Sequence, residues 1–179
     1  MIITRFLAHS EYSRYGDWLK SQSQETINLY FGIPYNEAAI DALVDKIISM
    51  ADEHEFLVAE DHGRIIGCVH IAGAGKEVEL GIIVHEEYRG EKLGSRLLGE
   101  AIIHSRNRGY KDLYMHCLSW NQPIRHLCTK HGLSMTNMYG ESEVKVKLPP
   151  ANLGTILAET NTRNRQIWGL MLQNMGIPI

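Results

Sequence analysis

The stretch VELGIIVHEEYRGEKLGSRLLGEAII, residues 78–103, changes period half-way along. Residues 78–85 are β-like and apolar. From Leu93 onward, Leu93, Leu97, Leu98, Ala101 and Ile102 recur at helical spacing, so a strand runs into an amphipathic helix that stops at Gly109. The turn between them carries Arg89, Gly90, Lys92 and Gly94. A helix N-terminus has backbone N–H groups without intrahelical partners and about half a positive charge. Successive amides in a glycine-containing turn make a concave nest for phosphate oxygens. Gly90 and Gly94 allow close approach, Arg89 and Lys92 add positive charge, and Ser95 offers a hydroxyl. A strand before and a helix after is the setting a phosphate-binding loop requires. The spacing is not that of the dinucleotide fingerprint, which has three spaced glycines, nor of a P-loop, which ends in Gly-Lys-Ser/Thr. The competing reading is an ordinary solvated turn.

Outward from this turn the period alternates. Residues 2–8 are a first strand, and 10–30 form a broken helix with Trp18, Leu19, Ile27 and Leu29 apolar. FGIPYN (31–36) is a turn in which Asn36 caps a helix over 37–52, marked by Ile40, Leu43, Val44, Ile47 and Ile48. EFLVAE (55–60) and RIIGCVHIA (64–72) form a hairpin around DHG. Gly81, inside the next strand, marks a bulge or a close approach by another backbone. DLYMHCLSW (112–120) is a further strand. NQPIRHLCTKHG (121–132) is a short helix capped by Asn121 and ended by Gly132. Residues 138–149 read as one bent strand or a hairpin. After Pro149 and Pro150 a tail contains a helix over 162–175 with Ile167, Trp168, Leu170, Met171 and Met175 apolar. This order predicts an α/β fold, a mixed sheet with helices on both faces. It divides the chain into residues 1–149 and a C-terminal helical extension, 150–179, packed on the same domain. That last helix serves core packing, a lid over an acceptor cleft, or a homodimer contact.

Composition removes several function classes. The 179 residues suit one domain, and the 44% hydrophobic and 22% charged fractions are those of a soluble globular protein. No apolar run approaches the roughly 18 residues of a membrane span, and the N-terminus does not read as a signal peptide. A net charge of -3 with no basic stripe argues against nucleic acid and tolerates a cationic substrate. Three cysteines without C-x-x-C spacing argue against a disulfide framework and suit the cytoplasm. Among the nine histidines, His126 and His131 flank Cys128, but their spacing does not converge on one helix face, so no metal site is expected. A metal-dependent hydrolase is the least favoured reading.

The stretch IIVHEEYRGEKLGSRLL resembles the acyl-CoA-binding motif of the GNAT superfamily of N-acetyltransferases, Gln/Arg-x-x-Gly-x-Gly/Ala. Arg89 takes the first place and Gly94 the last, while Lys92 replaces the middle glycine. A second element is similar: a strand, then Asn121, then a short helix ending in Gly132 and Leu133, where the family has a Gly-aromatic pair. The hairpin LVAEDHGRIIGCV resembles the family's second and third strands, and ETINLYFG (25–32) faintly resembles a turn region of protein-lysine acetylating members. The resemblance covers about residues 55–135 and implies a GNAT-like acyl-CoA N-acyltransferase fold with a central, mostly antiparallel sheet. It implies acetyl-CoA as cofactor, held by Arg89, Gly90, Glu91, Lys92, Leu93, Gly94 and Ser95, with a primary amine of a small molecule or a protein lysine as acceptor.

Acetyl transfer from a thioester to an amine needs a deprotonated amine, a stabilised carbonyl oxygen and a protonated leaving thiolate. A lysine-like amine titrates near 10.4, so a base or water relay is needed at neutral pH. Glu79, nine residues before Tyr88, is the candidate base, on the expectation that it is partly buried with a raised pKa; the alternative is a solvated strand residue. The N–H of Ile83 or Val84 is the expected oxyanion donor. Backbone at Ile82 and Val84 pairs with the pantetheine arm by strand addition, with Asn121 a further contact. The family commonly has a proton-donating Tyr in the helix after the Asn; this chain has Cys128 there, either a thiol acid or a small buried hydrophobe. His116 points to the opposite face from Cys117 and is a candidate lining of the acceptor site. The competing function is a non-catalytic acyl-CoA-binding or assembly module on the same fold.

Overall fold

Short apolar runs joined by tight turns pair antiparallel to build most of the molecule. The computed structural model describes residues 2–138 and 141–174. Its elements are β1 (Ile2–Phe6), α1 (Tyr12–Lys20), α2 (Gln24–Phe31), α3 (Glu37–Ser49), β2 (His54–Asp61), β3 (Arg64–Ala74), β4 (Glu77–Val84), α4 (Leu93–Asn107), β5 (Asp112–Leu118), α5 (Gln122–Lys130), β6 (Met135–Met138), β7 (Glu141–Lys147) and α6 (Leu153–Asn174). The strands form one sheet in the order β1-β2-β3-β4-β5-β7-β6. All neighbours are antiparallel except β4 and β5, which run parallel. This is the mixed, mostly antiparallel sheet expected from the sequence.

Because side chains alternate across a strand, consecutive apolar residues feed two separate cores. Ile82 and Leu57 join Leu97, Leu98 and Leu113 on the α4/α5 face, while Ile83 and Phe56 join Tyr15, Leu19 and Val44 on the face covered by α1–α3. Local signals set the boundaries. Ser23 caps α2 by accepting the Thr26 N–H, which splits the expected 10–30 helix in two. Asn36 caps α3 by accepting the Ala39 N–H at 2.8 Å. The β2–β3 hairpin turns through His62 and Gly63, both left-handed at φ 49° and 77°. Of the two readings of 138–149, the hairpin is the one formed; its residues 139 and 140 lie outside the described residues. The bulge considered at Gly81 is not present: the β3–β4 register runs unbroken, and the irregularity falls in β2 at Ala59/Glu60.

The last helix begins earlier than its apolar spacing predicts, at Leu153 and not at 162. The cause is a reciprocal cap. Asn152 Oδ1 accepts the Thr155 N–H at 2.9 Å, and Thr155 Oγ1 accepts the Asn152 N–H at 3.0 Å. Met175, assigned to this helix from sequence, lies outside the described residues. Helix α6 packs against α4 and β1, and polar side chains tie it down. His104 of α4 is 1% exposed, with Nε2 2.8 Å from Glu55 of β2 and Nδ1 3.0 Å from Glu159 of α6. Asn107 donates to Glu159 and to the Thr155 carbonyl, and Arg106 donates to the carbonyls of Pro149 and Pro150.

Burial raises the carboxyl pKa of Glu55, but the hydrogen bond to and charge of His104 bring the net value below the ordinary 4.5. Burial likewise raises Glu159, outweighed by hydrogen bonds from Asn107 and His104. Folded values below the unfolded ones mean that both carboxylates stabilise the fold above pH 4.5 and lose that contribution as the pH falls through their folded values. His104→Ala removes the shared partner of two ionised groups and leaves a cavity, so urea unfolding is expected to show a loss of about 2–4 kcal/mol at pH 7. The stability lost on acidification below pH 4.5 is expected to shrink in that variant, because the two carboxylates then have less to lose.

Candidate active site

Among the described residues, the one parallel pair of the sheet is also its shortest. Strands β4 and β5 meet at Glu77–Asp112, Val78–Leu113 and Glu79–Tyr114, and no further pairing joins them beyond those three registers. β4 continues for five residues past Glu79 with a free edge toward this opening. The His85 N–H donates to the Ile66 carbonyl at 2.9 Å, and His85 stands opposite Ile66 in the unbroken β3–β4 register. In an antiparallel ladder alternate residues face the partner strand, so Glu79, Gly81 and Ile83 direct their peptide groups to β3, and Leu80, Ile82 and Val84 direct theirs into the opening. Ile83 is thereby corrected: its N–H is turned toward Cys68 and away from the oxyanion position assigned to it. The Val84 carbonyl accepts the Arg89 Nε–H at 3.1 Å, leaving its N–H facing the opening.

The opening leads to the start of α4. A short 3-10 turn over Glu86–Tyr88 ends β4, and Gly90 and Lys92 follow in left-handed conformations at φ 86° and 62°. Lys92 occupies the N-cap place without a side-chain cap, and the first intrahelical bond is Arg96 N–H to the Lys92 carbonyl at 3.0 Å. The amides of Leu93, Gly94 and Ser95 therefore precede the intrahelical ladder. Left-handed backbone at a lysine costs roughly 1–3 kcal/mol. The position where the family motif has glycine keeps the backbone shape that glycine would adopt. A Cβ on Gly94 would lie 3.5 Å from Val84 and 3.8 Å from Leu127, so the helix start sits directly on the strand edge.

Two polar side chains of the turn are already engaged. Arg89, expected to supply mobile charge, is fixed: besides the Val84 carbonyl it donates from Nη2 to Thr26 Oγ1 at 2.7 Å, bracing the turn against α2. Ser95 Oγ lies 3.0 Å from His131 Nε2, which ties α4 to the end of α5. Burial pushes the His131 pKa down, so its ring is suited to accept the Ser95 hydroxyl hydrogen.

The other face of the opening is lined by odd residues of β4 and even residues of β5. Glu79 is exposed there, against the expected partial burial, and His116 is exposed on the same face. Tyr114 donates to Glu77 at 3.2 Å, with the Lys145 ammonium 5.1 Å from its ring centre. Helix α2 and the turn after it wall this face with Tyr30, Phe31 and Tyr35; the last two rings stack at 4.1 Å. Gly81 is where the wall meets the sheet. A Cβ there would stand 2.6 Å from the Tyr30 hydroxyl, so the close approach read from sequence is made by a side chain and not by a backbone. Burial, above all, holds the Tyr30 phenol well above its ordinary pKa, with the Glu79 charge adding to the rise. The Tyr15 and Tyr30 hydroxyls are 3.3 Å apart. Tyr30 escapes a sequence reading because its partner is a missing side chain.

Asn121 is buried and caps α5 by accepting the Ile124 N–H. Cys128 is 0% exposed and packs in the α4/α5 core, its thiol pushed up to about 11, chiefly by burial. Its place inside the core matches the small buried hydrophobe of the two sequence readings and not an acid at the departing thiolate. His131 is taken by Ser95 and His126 is exposed; among the described residues no group of three or more His, Cys, Asp or Glu is placed to hold a metal ion. No helix among the described residues is long and apolar enough to cross a membrane.

Residues 17–133 match the model of the Acetyltransferase (GNAT) family. Among solved structures, the fold is similar to the GNAT domain of S. lividans PAT (18% identity, 81% of this chain and 89% of that chain, TM-score 0.67). It is similar also to spermidine N-acetyltransferase from Vibrio cholerae in complex with CoA and spermine (18%, 82% and 95%, TM-score 0.65). A third is the PaiA N-acetyltransferase from Thermoplasma acidophilum in complex with coenzyme A (19%, 82% and 99%, TM-score 0.63). At these identities the likeness is one of fold.

Gly81→Ala is expected to force Tyr30 off β4 and cost about 1–3 kcal/mol in thermal or urea unfolding. In the Tyr30→Phe background, which removes the colliding oxygen, the same substitution is expected to cost less than half as much. Additive costs in that double-mutant cycle would show that the two positions do not touch.

Proposed function

The chain belongs to the GNAT family of acetyltransferases, and on that premise we propose that it transfers the acetyl group of acetyl-CoA directly to a primary amine of an acceptor, within a ternary complex. The observation that carries this reading is the free edge of β4 running into an uncapped helix start. The residues fit the coenzyme. The amides of Gly90 to Ser95, around Glu91, Lys92, Leu93 and Gly94, are those that would hold its diphosphate. The Leu80, Ile82 and Val84 peptide edges would hold its pantetheine arm as an added strand. Bound there, the coenzyme supplies an activated acetyl thioester. The Val84 N–H, not that of Ile83, is the strand donor for the carbonyl oxygen. Asn121, with its side-chain oxygen spent on the α5 cap, borders the same opening.

The acceptor enters on the face of Glu79, Tyr30 and His116. Glu79 attracts the ammonium form and takes its proton, directly or through one water. Direct transfer is favoured because Cys68 and Cys128 are fully buried and the half-buried Cys117 has its thiol raised by burial, so none offers a ready thiolate as acyl carrier. A small polyamine-like molecule or a protein lysine fits a carboxylate beside an aromatic wall. Three free cysteines suit a reducing, cytoplasmic setting. One observation favours a second reading, a non-catalytic acyl-CoA-binding module: the place of the family's Tyr is taken by a buried thiol.

Calorimetry with acetyl-CoA is expected to show binding, weakened about tenfold by Arg89→Ala as the turn loses its brace. With an acceptor amine, Glu79→Gln is expected to cut thiol release by about 10²–10⁴-fold while leaving coenzyme affinity unchanged. Cys128→Ala is expected to lower stability and leave turnover per folded enzyme intact. Binding without thiol release across a panel of amines would establish the second reading.

A further inference from the structure

Helix α6 presents an apolar stripe on the side facing away from the domain. Thr155 and Gly169 are buried against the rest of the chain, and Glu159 is tied to His104. On the opposite side Leu153, Ile156, Leu157, Ile167, Trp168 and Met171 are 45% to 73% exposed. Thr160 and Asn164 complete this stripe, and no charged residue interrupts it. The positions 153, 157, 160, 164, 167 and 171 alternate steps of four and three, the seam of a two-helix coil. The side of α6 toward its own domain carries Thr155, Ala158, Glu159, Thr162 and Gln166, so the apolar face of this helix is turned away from the domain it packs on.

The stripe is also a palindrome. Counted from residue 162, Leu153 mirrors Met171, Ile156 mirrors Trp168, Leu157 mirrors Ile167, and Thr160 mirrors Asn164. Two copies of α6 laid antiparallel with a twofold axis at the level of residue 162 bring each apolar residue against an apolar residue. The single polar layer meets itself twice, Thr160 against Asn164 of the other copy. A twofold interface must be self-complementary in this way, and one polar layer in an apolar seam sets register. At roughly 180 Å² per large apolar side chain, the exposed fractions amount to roughly 600 Å² per chain, about 1,200 Å² in all, above the ~1,000 Å² that separates specific interfaces from casual contacts. We propose that α6 is the interface of an antiparallel, twofold dimer of this chain, sandwiched between its own domain on one side and the partner's α6 on the other.

Sedimentation velocity on the full chain at tens of micromolar is expected to give twice the mass of one chain. Leu157→Glu combined with Ile167→Glu is expected to give the mass of one chain with an unchanged far-UV spectrum. Disulfide trapping tests the register and stands in if the charged variant fails to fold. In a Cys117→Ser background, Leu157→Cys with Ile167→Cys together are expected to link two chains. Either substitution alone is not, because like residues then lie about 15 Å apart along the helix axis. Three outcomes would overturn the proposal: a wild type with the mass of one chain, a dimer that survives the two glutamates, or linkage of either single cysteine variant. A single-chain wild type that co-sediments with anionic phospholipid vesicles through the same residues would overturn it too, assigning the stripe to a membrane surface.

Discussion

Everything at the candidate site follows from three pairs of residues. β4 and β5 are held together only from Glu77–Asp112 to Glu79–Tyr114, and two parallel strands that stop pairing must expose backbone or find a substitute partner. The far edge of β4 is a row of peptide groups with the correct spacing for another extended chain. The strand that owns this edge then bends through Gly90 and Lys92 into α4, whose first amides are equally without partners inside the helix. One break in the sheet and one uncapped helix create a continuous track of hydrogen-bonding groups. Two cores hold β4, one on each face of the sheet: the core under α1–α3 takes none of its buried residues from β5, and the other joins Leu80 and Ile82 to Leu113 and Met115 of β5.

The two sides of the break have different chemistry. Toward α4 and α5 lie backbone amides, a helix dipole and the Ser95–His131 pair. Toward α2 lie an exposed carboxylate, an exposed imidazole and three aromatic rings. An anionic coenzyme and a cationic amine would each meet a surface of opposite sign, with the thioester at the boundary. Such a division would keep the negative phosphates from competing with Glu79 for the cationic acceptor.

The strand–turn–helix at 78–103 was legible in the sequence because the hydrophobic period switches at a glycine-rich turn. Both cores were legible for a related reason, since strands buried on both faces read as unbroken apolar runs. Which of Ile83 and Val84 turns its N–H to the opening was not, because that depends on the register with β3, a non-local fact. Of the two readings each residue allowed, Glu79 takes the solvated one and Cys128 the buried one, and neither depth is encoded in its neighbours along the chain. The early start of α6 was written in the chain as Asn-x-x-Thr after two prolines, a capping signal hidden by the polar residues that follow it. His104 carried no sequence signal, since both of its carboxylates come from distant elements.

The arginine of the turn joins these threads. Arg89 holds the Val84 carbonyl with one nitrogen and the Thr26 hydroxyl with another, so the coenzyme turn and the helix that carries Tyr30 share a single rigid strut. A diphosphate settling on the turn cannot draw it inward without also pulling the aromatic wall. The two halves of the break thus share one brace. Loss of that one side chain would loosen both halves together.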